Sequence, residues 1–225
     1  MSVLITGTST GIGRATALRF IAAGYRVIGE DRNPSTIEMS DIKEGNPFDY
    51  THIIWDVTDY DNMPDFDAYD IEYLINNAGT QNEDDIETNL RAVIKLTEAV
   101  AFQPMIKAIV NVASTSAHNG AEFPEYAASK GGLLSYTKNV ASRVARYGAT
   151  CNSISPGGVK TDMNKHILES PELQAEVLNE TMLYRWADAE EIAEWIFFIA
   201  VVNKSMTAQD IIIDNGELST FNFVW

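Results

Sequence analysis

The chain has 225 residues, of which 45% are hydrophobic and 21% are charged, and a single α/β domain can account for this length. Its 32 acidic and 16 basic residues give a net charge of −16. This acidity disfavours nucleic acid as a partner, because phosphate backbones are bound by Lys and Arg, and a solvated surface is its simplest interpretation.

Short apolar segments rich in β-branched residues alternate along the chain with longer amphipathic segments. The short segments predict seven strands, at 3–5, 27–28, 53–55, 73–75, 109–112, 153–154 and 211–213. Continuous apolar runs of this kind are typical of strands that are buried on both faces. Helices are predicted at 11–23, 84–102, 125–147 and 188–202, with a weaker pattern near 172–180.

This alternation predicts one domain over residues 1–225, because no repeat, linker or low-complexity segment interrupts it. Strands that alternate with helices pair in parallel through right-handed crossovers. We therefore expect an α/β fold with a doubly wound, seven-stranded parallel sheet and helices on both faces. Gly24 and Gly148 predict left-handed helix caps, and Asp188 with Glu191 predicts a capping box. Residues 33–50, which contain two prolines, predict an irregular segment.

The first predicted strand runs directly into TGTSTGIG at residues 6–13, and an amphipathic helix follows at once. A strand, a glycine turn and a helix in this order are typical of a Rossmann dinucleotide site, although a merely tight turn is the simpler alternative. Gly7 permits the turn, Gly11 lets the backbone approach a pyrophosphate, and Gly13 permits close packing of the helix. The helix N-terminus would then face the phosphates.

Asp31 stands at the end of the second predicted strand, 18 residues beyond Gly13. A Rossmann fold places an acid there to bind the ribose 2′-hydroxyl of the cofactor. A 2′-phosphate would face this carboxylate, with a repulsion of about 4 kcal/mol per charge pair at ~4 Å. Thr10 leaves the turn without a basic residue, whereas Arg32 could hold a 2′-phosphate. The sequence favours NAD, with NADP as the alternative.

Tyr126 and Lys130 lie four residues apart in EYAASKGG, on a predicted helix. Residues at this spacing share one face, so the pair is either ordinary packing or a proton-transfer device. To act as a base near neutrality, the phenol needs a pKa about 2–3 units below its usual value. An ammonium at ~4 Å supplies about 4 kcal/mol, which is enough.

Together these segments resemble the short-chain dehydrogenase/reductase family, in its simple single-domain form. The three residues between Gly7 and Gly11 match its glycine spacing, and YAASK (126–130) matches its catalytic segment. Other matching segments are DV (56–57), NNAG (76–79), Asn89, NVAS (111–114) and SPGGVKT (155–161). The resemblance covers almost the whole chain.

The resemblance implies how the cofactor binds: Asp56 and Val57 would flank the adenine, residues 77–79 would line the dinucleotide, and residues 156–161 would hold the nicotinamide carboxamide. The full set of expected cofactor-binding residues is Gly7, Ser9, Thr10, Gly11, Ile12, Gly13, Asp31, Arg32, Asp56, Val57, Asn77, Ala78, Gly79, Tyr126, Lys130, Pro156, Gly157, Val159 and Thr161.

The resemblance also implies the catalytic residues. Tyr126 would be the general acid/base, Lys130 would lower its pKa and bind the nicotinamide ribose, and Ser114 would hydrogen-bond the substrate oxygen. Asn89 would hold a water that relays protons. Ser116 is a rival for the serine role. Of the histidines, His52 is expected in a strand and His166 in a substrate lid, while His118 either faces the substrate or lies in a loop.

The sequence departs from the family pattern around the substrate. Only nine residues separate Gly79 from Asn89, which implies a more open pocket, and the short stretch from 56 to 76 implies a clipped helix. Residues 162–186 would form the substrate lid. Its apolar residues either line the pocket or belong to a plain helical core: Met163, Ile167, Leu168 and Met182. The apolar tail at 221–225 favours a subunit contact.

The sequence thus predicts an NAD-dependent oxidoreductase of a secondary alcohol or ketone. The alternatives are a non-catalytic dinucleotide-binding regulator, a structural or interaction protein, and an NADP-preferring carbonyl reductase of the 3-oxoacyl type. No metal site is expected, since Cys151 is the only cysteine and no His/Asp/Glu spacing suggests ligands. We expect a cytoplasmic location without membrane spans. The resemblance implies a homodimer or homotetramer that packs through the helices at 84–102 and 125–147.

Overall fold

The main sheet consists of seven parallel strands. A computed structural model describes residues 1–42, 49–121 and 123–220. The strands are β1 (Ser2–Thr6), β2 (Arg26–Asp31), β3 (Tyr50–Ile54), β4 (Ile71–Asn76), β5 (Ala108–Val112), β6 (Thr150–Pro156), β7 (Val159–Lys160), β8 (Ala187–Asp188) and β9 (Asp210–Ile213). The spatial order in the main sheet is β3-β2-β1-β4-β5-β6-β9, and β7 and β8 pair separately from it. The predicted Rossmann-type sheet is confirmed.

The helices are α1 (Gly11–Ala22), α2 (Val93–Val100), α3 (Ser116–Asn119), α4 (Pro124–Val144), α5 (Lys165–Leu168), α6 (Pro171–Asn179) and α7 (Ala189–Phe197). Wider π turns adjoin two of them, at Glu87–Ala92 before α2 and at Phe198–Val202 after α7. The helical periodicity of the sequence did not predict these turns.

Helices cover both faces of the sheet, because the side chains of each strand alternate between two apolar clusters. Val3 and Ile5 of β1 pack in the cluster that includes α1 and α7 residues, whereas Leu4 packs in the cluster that includes α2 and α4 residues. All three are completely buried. Burial of each such side chain stabilises the fold by about 1.5–3 kcal/mol.

A buried polar network fixes α4 against the sheet near the strand ends. The Asn76 side-chain amide donates to Thr97 Oγ1 at 3.0 Å and to Asn111 Oδ1 at 2.8 Å. Asn111 Nδ2 in turn donates to Thr137 Oγ1 on α4 at 2.8 Å. Such buried polar groups keep their place because an unpaired one would cost about 1–3 kcal/mol.

Several local predictions are confirmed. Gly24 and Gly148 adopt positive φ angles of 80° and 72°, and Asp188 forms the capping box with Glu191. Two short 3₁₀ turns, Tyr60–Asn62 and Asp67–Tyr69, replace a helix between β3 and β4. The described part of residues 33–50 contains one 3₁₀ turn, Met39–Asp41, and the tail at 221–225 lies outside the described residues. None of the helices in the described ranges is long and apolar enough to cross a membrane.

Candidate active site

A cavity of about 730 Å³ opens at the carboxyl ends of the strands. Ligands of open α/β sheets bind at this edge, and the volume lies in the usual range for small-molecule sites. Most of the residues proposed from the sequence line it: Gly7, Thr10, Gly11, Ile12, Asp31, Arg32, Asp56, Val57, Asn77, Ala78, Gly79, Ser114, Tyr126, Lys130, Pro156, Gly157, Val159 and Thr161. Ser9, Gly13 and Asn89 lie behind this wall.

The glycine turn is held in shape by its neighbours. Gly7 has a φ of +73°, and its amide donates to the Glu30 carbonyl at 2.7 Å. A Cβ on Gly7 would lie 2.9 Å from Ala78 Cα, and one on Gly13 would overlap the Gly7 carbonyl oxygen. The turn can therefore form only where these side chains are missing, and it leaves the backbone open towards the cavity.

The segment NNAG braces the turn as well as lining the cavity. The Asn77 side-chain amide donates to the carbonyl of Thr6 at 2.9 Å and to that of Gly7 at 3.2 Å. The amides of Asn77 and Ala78 donate to Thr6 Oγ1 at 3.0 and 2.9 Å. This end of the site is therefore fixed by hydrogen bonds between the ends of β1 and β4.

Asp31 ties the glycine turn to the end of β2. Its Oδ2 accepts from the Ser9 amide at 2.9 Å, and its Oδ1 accepts from the Asn33 amide at 2.9 Å. Ser9 also donates from Oγ to the Pro34 carbonyl at 2.9 Å. Ser9 thus supports Asp31 and the segment after it, and lies outside the cavity wall.

The cavity end near β2 and β3 is acidic. Asp56 accepts from both the hydroxyl and the amide of Thr58, at 2.6 and 2.9 Å, and these bonds hold its pKa below the usual value. Arg32 is the nearby cation, and its guanidinium lies 3.9 Å from Glu83. Asp31 and Asp56 therefore place negative charge where the expected ribose and adenine would lie.

Tyr126 and Lys130 share the cavity face of α4. Lys130 is only 5% exposed, and its Nζ donates to the Val112 carbonyl at 2.9 Å. The same Nζ lies 5.6 Å from the centre of the Tyr126 ring. A Cβ on Gly79 would lie 3.5 Å from this Nζ but only 2.8 Å from Asn89 Oδ1, so Gly79 leaves room for the asparagine side chain. The pair lies inside the cavity, with the ammonium beside the phenol.

Ser114 follows β5 directly and lies on the same wall as Tyr126. Its Oγ lies 3.1 Å from Ser116 Oγ and accepts from the Ser116 amide at 3.2 Å. Ser114 lines the cavity, whereas Ser116 is 2% exposed and lies behind it. The position of Ser114 is therefore the one from which a hydroxyl can reach a bound molecule.

Asn89 lies in the π turn before α2 and is 1% exposed. Its side chain accepts from the Thr80 amide at 2.8 Å and donates to the Thr80 carbonyl at 2.9 Å. It also lies 3.3 Å from Ser129 Oγ, next to Lys130 in the chain. The side chain thus joins the loop after β4 to α4. π turns are frequent at functional sites because they interrupt the regular helical hydrogen bonds.

The histidines have different surroundings. His118 lies on α3, with Nε2 at 2.8 Å from Asp210 and 3.3 Å from Ser155 Oγ, outside the cavity wall. Neither predicted position for His118 is right, because the contact with Asp210 holds it on a short helix against β9. His52 lies in β3 as predicted. His166 lines the cavity from α5.

The segment 162–186 forms α5, α6 and short turns at the outer end of the cavity. Met163 and Ile167 line the cavity, whereas Leu168 and Met182 do not, and Met182 packs against Gly216 instead. Sequence reasoning missed further lining residues: Glu30, Phe123, Val177, Glu180, Trp186 and Glu217. Glu217 accepts from Thr115 Oγ1 at 3.1 Å and from the Gly158 amide at 3.3 Å. No motif marks these positions.

Across the described ranges, no cluster of three His, Cys, Asp or Glu residues could hold a metal.

Comparisons with known proteins agree with this geometry. A family model described as short chain dehydrogenase matches residues 1–172. The 3-oxoacyl-[acyl-carrier-protein] reductase FabG of Thermotoga maritima is 34% identical over 238 residues, covering 95% of this chain and 96% of its own. A 4-hydroxyisoleucine dehydrogenase mutant complexed with NADH and succinate superposes with a TM-score of 0.87 at 25% identity, over 99% of this chain and 100% of that one. A putative 2-deoxy-D-gluconate 3-dehydrogenase from Agrobacterium tumefaciens with bound NADP also has a TM-score of 0.87 at 25% identity, over 97% and 96%.

Proposed function

The chain belongs to the short-chain dehydrogenase family and is an oxidoreductase that acts on alcohol or carbonyl groups with NAD(P), and from this premise we propose that it transfers a hydride between NAD and a secondary alcohol or ketone. The observation that carries the proposal is that Ser114, Tyr126 and Lys130 line the same cavity as the glycine turn. Proton transfer and cofactor binding can therefore take place within one cavity.

The glycine turn fits a dinucleotide. A side chain at Gly13 would overlap the turn itself and one at Gly7 would overlap Asn77 and Ala78, so the turn presents bare backbone at Gly7 to the cavity. The first turn of α1 contains no acidic residue, and its amides favour an anion such as a pyrophosphate. Asp31 and Asp56 would hold the adenosine end, and Lys130 with Val159 and Thr161 the nicotinamide end. When bound there, the nicotinamide ring would supply the hydride chemistry.

Tyr126 carries the proton in this proposal. In the reductive direction its hydroxyl donates a proton to the carbonyl oxygen, and in the oxidative direction its oxygen takes the proton from the alcohol. The Lys130 ammonium stabilises the phenolate that remains after donation, because opposite charges attract and the buried lysine is little screened by solvent. The hydrogen bond from Nζ to the Val112 carbonyl keeps the ammonium in place.

Ser114 positions the substrate oxygen by a hydrogen bond from Oγ, because it lines the same cavity as Tyr126. Asn89 supports this arrangement from behind the cavity lining. Its bonds to Thr80 and its contact with Ser129 hold the π turn and α4 together, next to Lys130. A water in this region would relay protons outward, as the family resemblance implies.

NAD is the proposed cofactor because two carboxylates, Asp31 and Asp56, lie where a 2′-phosphate would add negative charge. Arg32, the cation that could offset them, already lies 3.9 Å from Glu83. The second candidate is an NADP-dependent 3-oxoacyl reductase, because the FabG relative is a 3-oxoacyl reductase and the 2-deoxy-D-gluconate 3-dehydrogenase structure contains NADP. Calorimetric titration with NADH and NADPH separates the two, because the proposal requires tighter binding of NADH.

Turnover tests the proposed function. The purified protein is assayed for NADH and NADPH oxidation with a panel of ketones, 3-oxoacyl thioesters and keto sugars, and for the reverse reaction with the matching alcohols. Turnover with at least one secondary alcohol or ketone supports the proposal. NADH binding without turnover on any member would favour the regulator, and absence of dinucleotide binding would contradict both. A homo-oligomeric state and a cytoplasmic location stay predictions of the sequence.

A further inference from the structure

Glu30 is a buried acid at the end of β2, immediately before Asp31. It is 1% exposed, yet it lines the cavity. Side chains alternate along a strand, so Glu30 projects from the same sheet face as Ile28, whose cluster also includes Trp55 and Val57. Its carboxyl group therefore lies at the end of the cavity where the adenosine half of a dinucleotide is proposed to bind.

One oxygen of this carboxyl group lacks a partner. Among the described residues, no hydrogen bond reaches Glu30 Oε2, although the atom is fully buried. A buried polar atom without a partner is costly, and native proteins rarely keep one without a reason. Glu30 is a lining residue of the cavity, so a small rotation of its side chain would let a bound molecule supply the missing partner.

The surroundings of Glu30 favour its neutral form. Burial is the main cause that raises its pKa to about 9, and the charges of Asp31 and Asp56 add to the effect, while the Gly7 amide opposes it. Arg32 is engaged with Glu83 at 3.9 Å. On the opposite wall of the cavity lie two further acids, Asp84 and Glu87. At neutral pH the group is thus a carboxylic acid, which can donate a hydrogen bond as well as accept one.

We propose that Glu30 binds the adenosine half of the cofactor as a neutral carboxylic acid, donating a hydrogen bond from Oε2 to a ring nitrogen or ribose oxygen. The inference rests on the proposed use of a dinucleotide. It adds a third side chain, of different chemistry, to the pair Asp31 and Asp56, which as carboxylates can only accept. A deprotonated Glu30 would lose the donated bond and place a third negative charge beside the ligand.

Dinucleotide binding therefore depends on the proton of Glu30. As the pH rises from 7 to 9.5, the affinity of the wild type for NADH falls, because the acid form becomes less populated. Glu30→Gln keeps a donor of similar shape that does not titrate in this range, so its affinity changes less with pH. Glu30→Met fills similar volume without any donor, so it binds more weakly already at pH 7.

Calorimetry tests these expectations with NADH and with ADP-ribose, a probe without the nicotinamide ring. Between pH 7 and 9.5 the wild type is expected to lose about three- to four-fold more affinity for both probes than Glu30→Gln loses, because a group with a pKa of about 9 is about three-quarters deprotonated at pH 9.5. At pH 7, Glu30→Met is expected to bind about five- to ten-fold more weakly than the wild type. Equal pH profiles of the wild type and Glu30→Gln would overturn the proposal, and so would wild-type affinity in Glu30→Met.

Failure of the proposed function has a different signature. If the wild type binds neither probe at pH 7, dinucleotide use itself is contradicted, and this inference with it. If the wild type binds and turns over NADH while both variants behave like it, only the role of Glu30 is wrong.

Thermal unfolding provides the control for folding and a second readout. In the unfolded chain the carboxyl group titrates near pH 4.5, so the stability that the neutral group contributes is lost as the pH rises towards about 9. Glu30→Gln should therefore have a higher Tm than the wild type at pH 8.5, and the difference should shrink as the pH falls to 5.5. A difference that does not change with pH would contradict a neutral Glu30.

Discussion

The two ends of the cavity differ in how firmly the chain holds them. At the glycine turn, backbone amides and carbonyls are fixed by Thr6 and Asn77, and Gly13 packs so closely that no side chain fits. At the outer end, short helices and the turns beside them carry large apolar residues that are exposed: Met163, Leu173, Met182, Leu183 and Tyr184. The glycine-turn end is thus fixed by hydrogen bonds and close packing, while the outer end has exposed apolar surface, of which Met163 lines the cavity.

The two ends of the cavity should respond differently to mutation. A change at the glycine-turn end should alter the geometry in which the cofactor binds or the proton is transferred. The addition or removal of a single atom there should therefore have a large effect on binding or rate. A change at the outer end should remove only a part of an apolar contact area, so its effect should be graded.

The largest effect is expected from Lys130→Met. The change removes the ammonium beside Tyr126 and the bond to Val112, so kcat should fall by about 10²–10⁴-fold, the usual contribution of a proton-transfer group. Steady-state kinetics of NADH oxidation measures it. Lys138→Met, at an exposed position of the same helix, is the matched control and should keep wild-type activity. Similar rates in both variants would mean that the ammonium has no part in catalysis.

Gly13→Ala should nearly abolish NADH binding. The added Cβ would overlap the Gly7 carbonyl oxygen, so the turn must open and the phosphate cradle is lost. Calorimetry should show at least a 100-fold weaker affinity, and circular dichroism would report whether the fold persists. Gly131→Ala is the control, because its Cβ would meet only the Ala117 carbonyl, at 3.9 Å. NADH affinity in Gly13→Ala equal to that of the control would contradict the role of the turn.

Asp31→Asn should change the cofactor preference. Loss of one negative charge removes repulsion of about 4 kcal/mol at most, so the ratio of NADPH to NADH affinity should rise about 10- to 100-fold. Titrations with both cofactors measure this ratio. Asp61→Asn, at an exposed turn, should leave it unchanged. If Asp31→Asn also leaves it unchanged, Asp31 does not discriminate between the cofactors.

The smallest effect is expected at the outer end. Ile167→Ala removes part of the cavity lining on α5 and should raise KM about two- to ten-fold with little change in kcat, because apolar contacts bind the ground state and the transition state alike. Leu173→Ala, on α6 outside the cavity wall, is the control. A large fall in kcat for Ile167→Ala would instead place this end of the cavity in the chemical step.

The same division explains what could be predicted from the sequence. The glycine turn, Asp31 and the Tyr126–Lys130 pair are local patterns, in which residue type and spacing dictate the geometry. Alternating strands and helices with right-handed crossovers predict a doubly wound parallel sheet, so this architecture was also predictable. Asn89 was located as a motif residue, but the π turn around it leaves no mark on helical periodicity.

Other site residues come together only through the tertiary structure. Glu217 reaches the cavity from the last described segment, and Glu30 looks like an ordinary strand residue until its burial is known. His118 pairs with Asp210, which is distant in sequence, and spacing alone contains no information about such a contact. Of the four apolar residues singled out in 162–186, Met163 and Ile167 line the cavity and Leu168 and Met182 do not, because short helices and turns have no regular inner face that spacing could predict.

Transfer of a deuterium label tests the central claim most directly. The wild type and Tyr126→Phe are incubated with NADH deuterated at C4 and a ketone that the wild type reduces, and the product is analysed by mass spectrometry. Calorimetry confirms that both bind NADH, and Tyr136→Phe on the same helix controls for loss of a hydroxyl. We predict that the wild type and the control each place one deuterium on the carbinol carbon of the product. The rate of this transfer should be at least 100-fold lower in Tyr126→Phe than in the wild type. Transfer by Tyr126→Phe at the wild-type rate would contradict the proposed proton transfer.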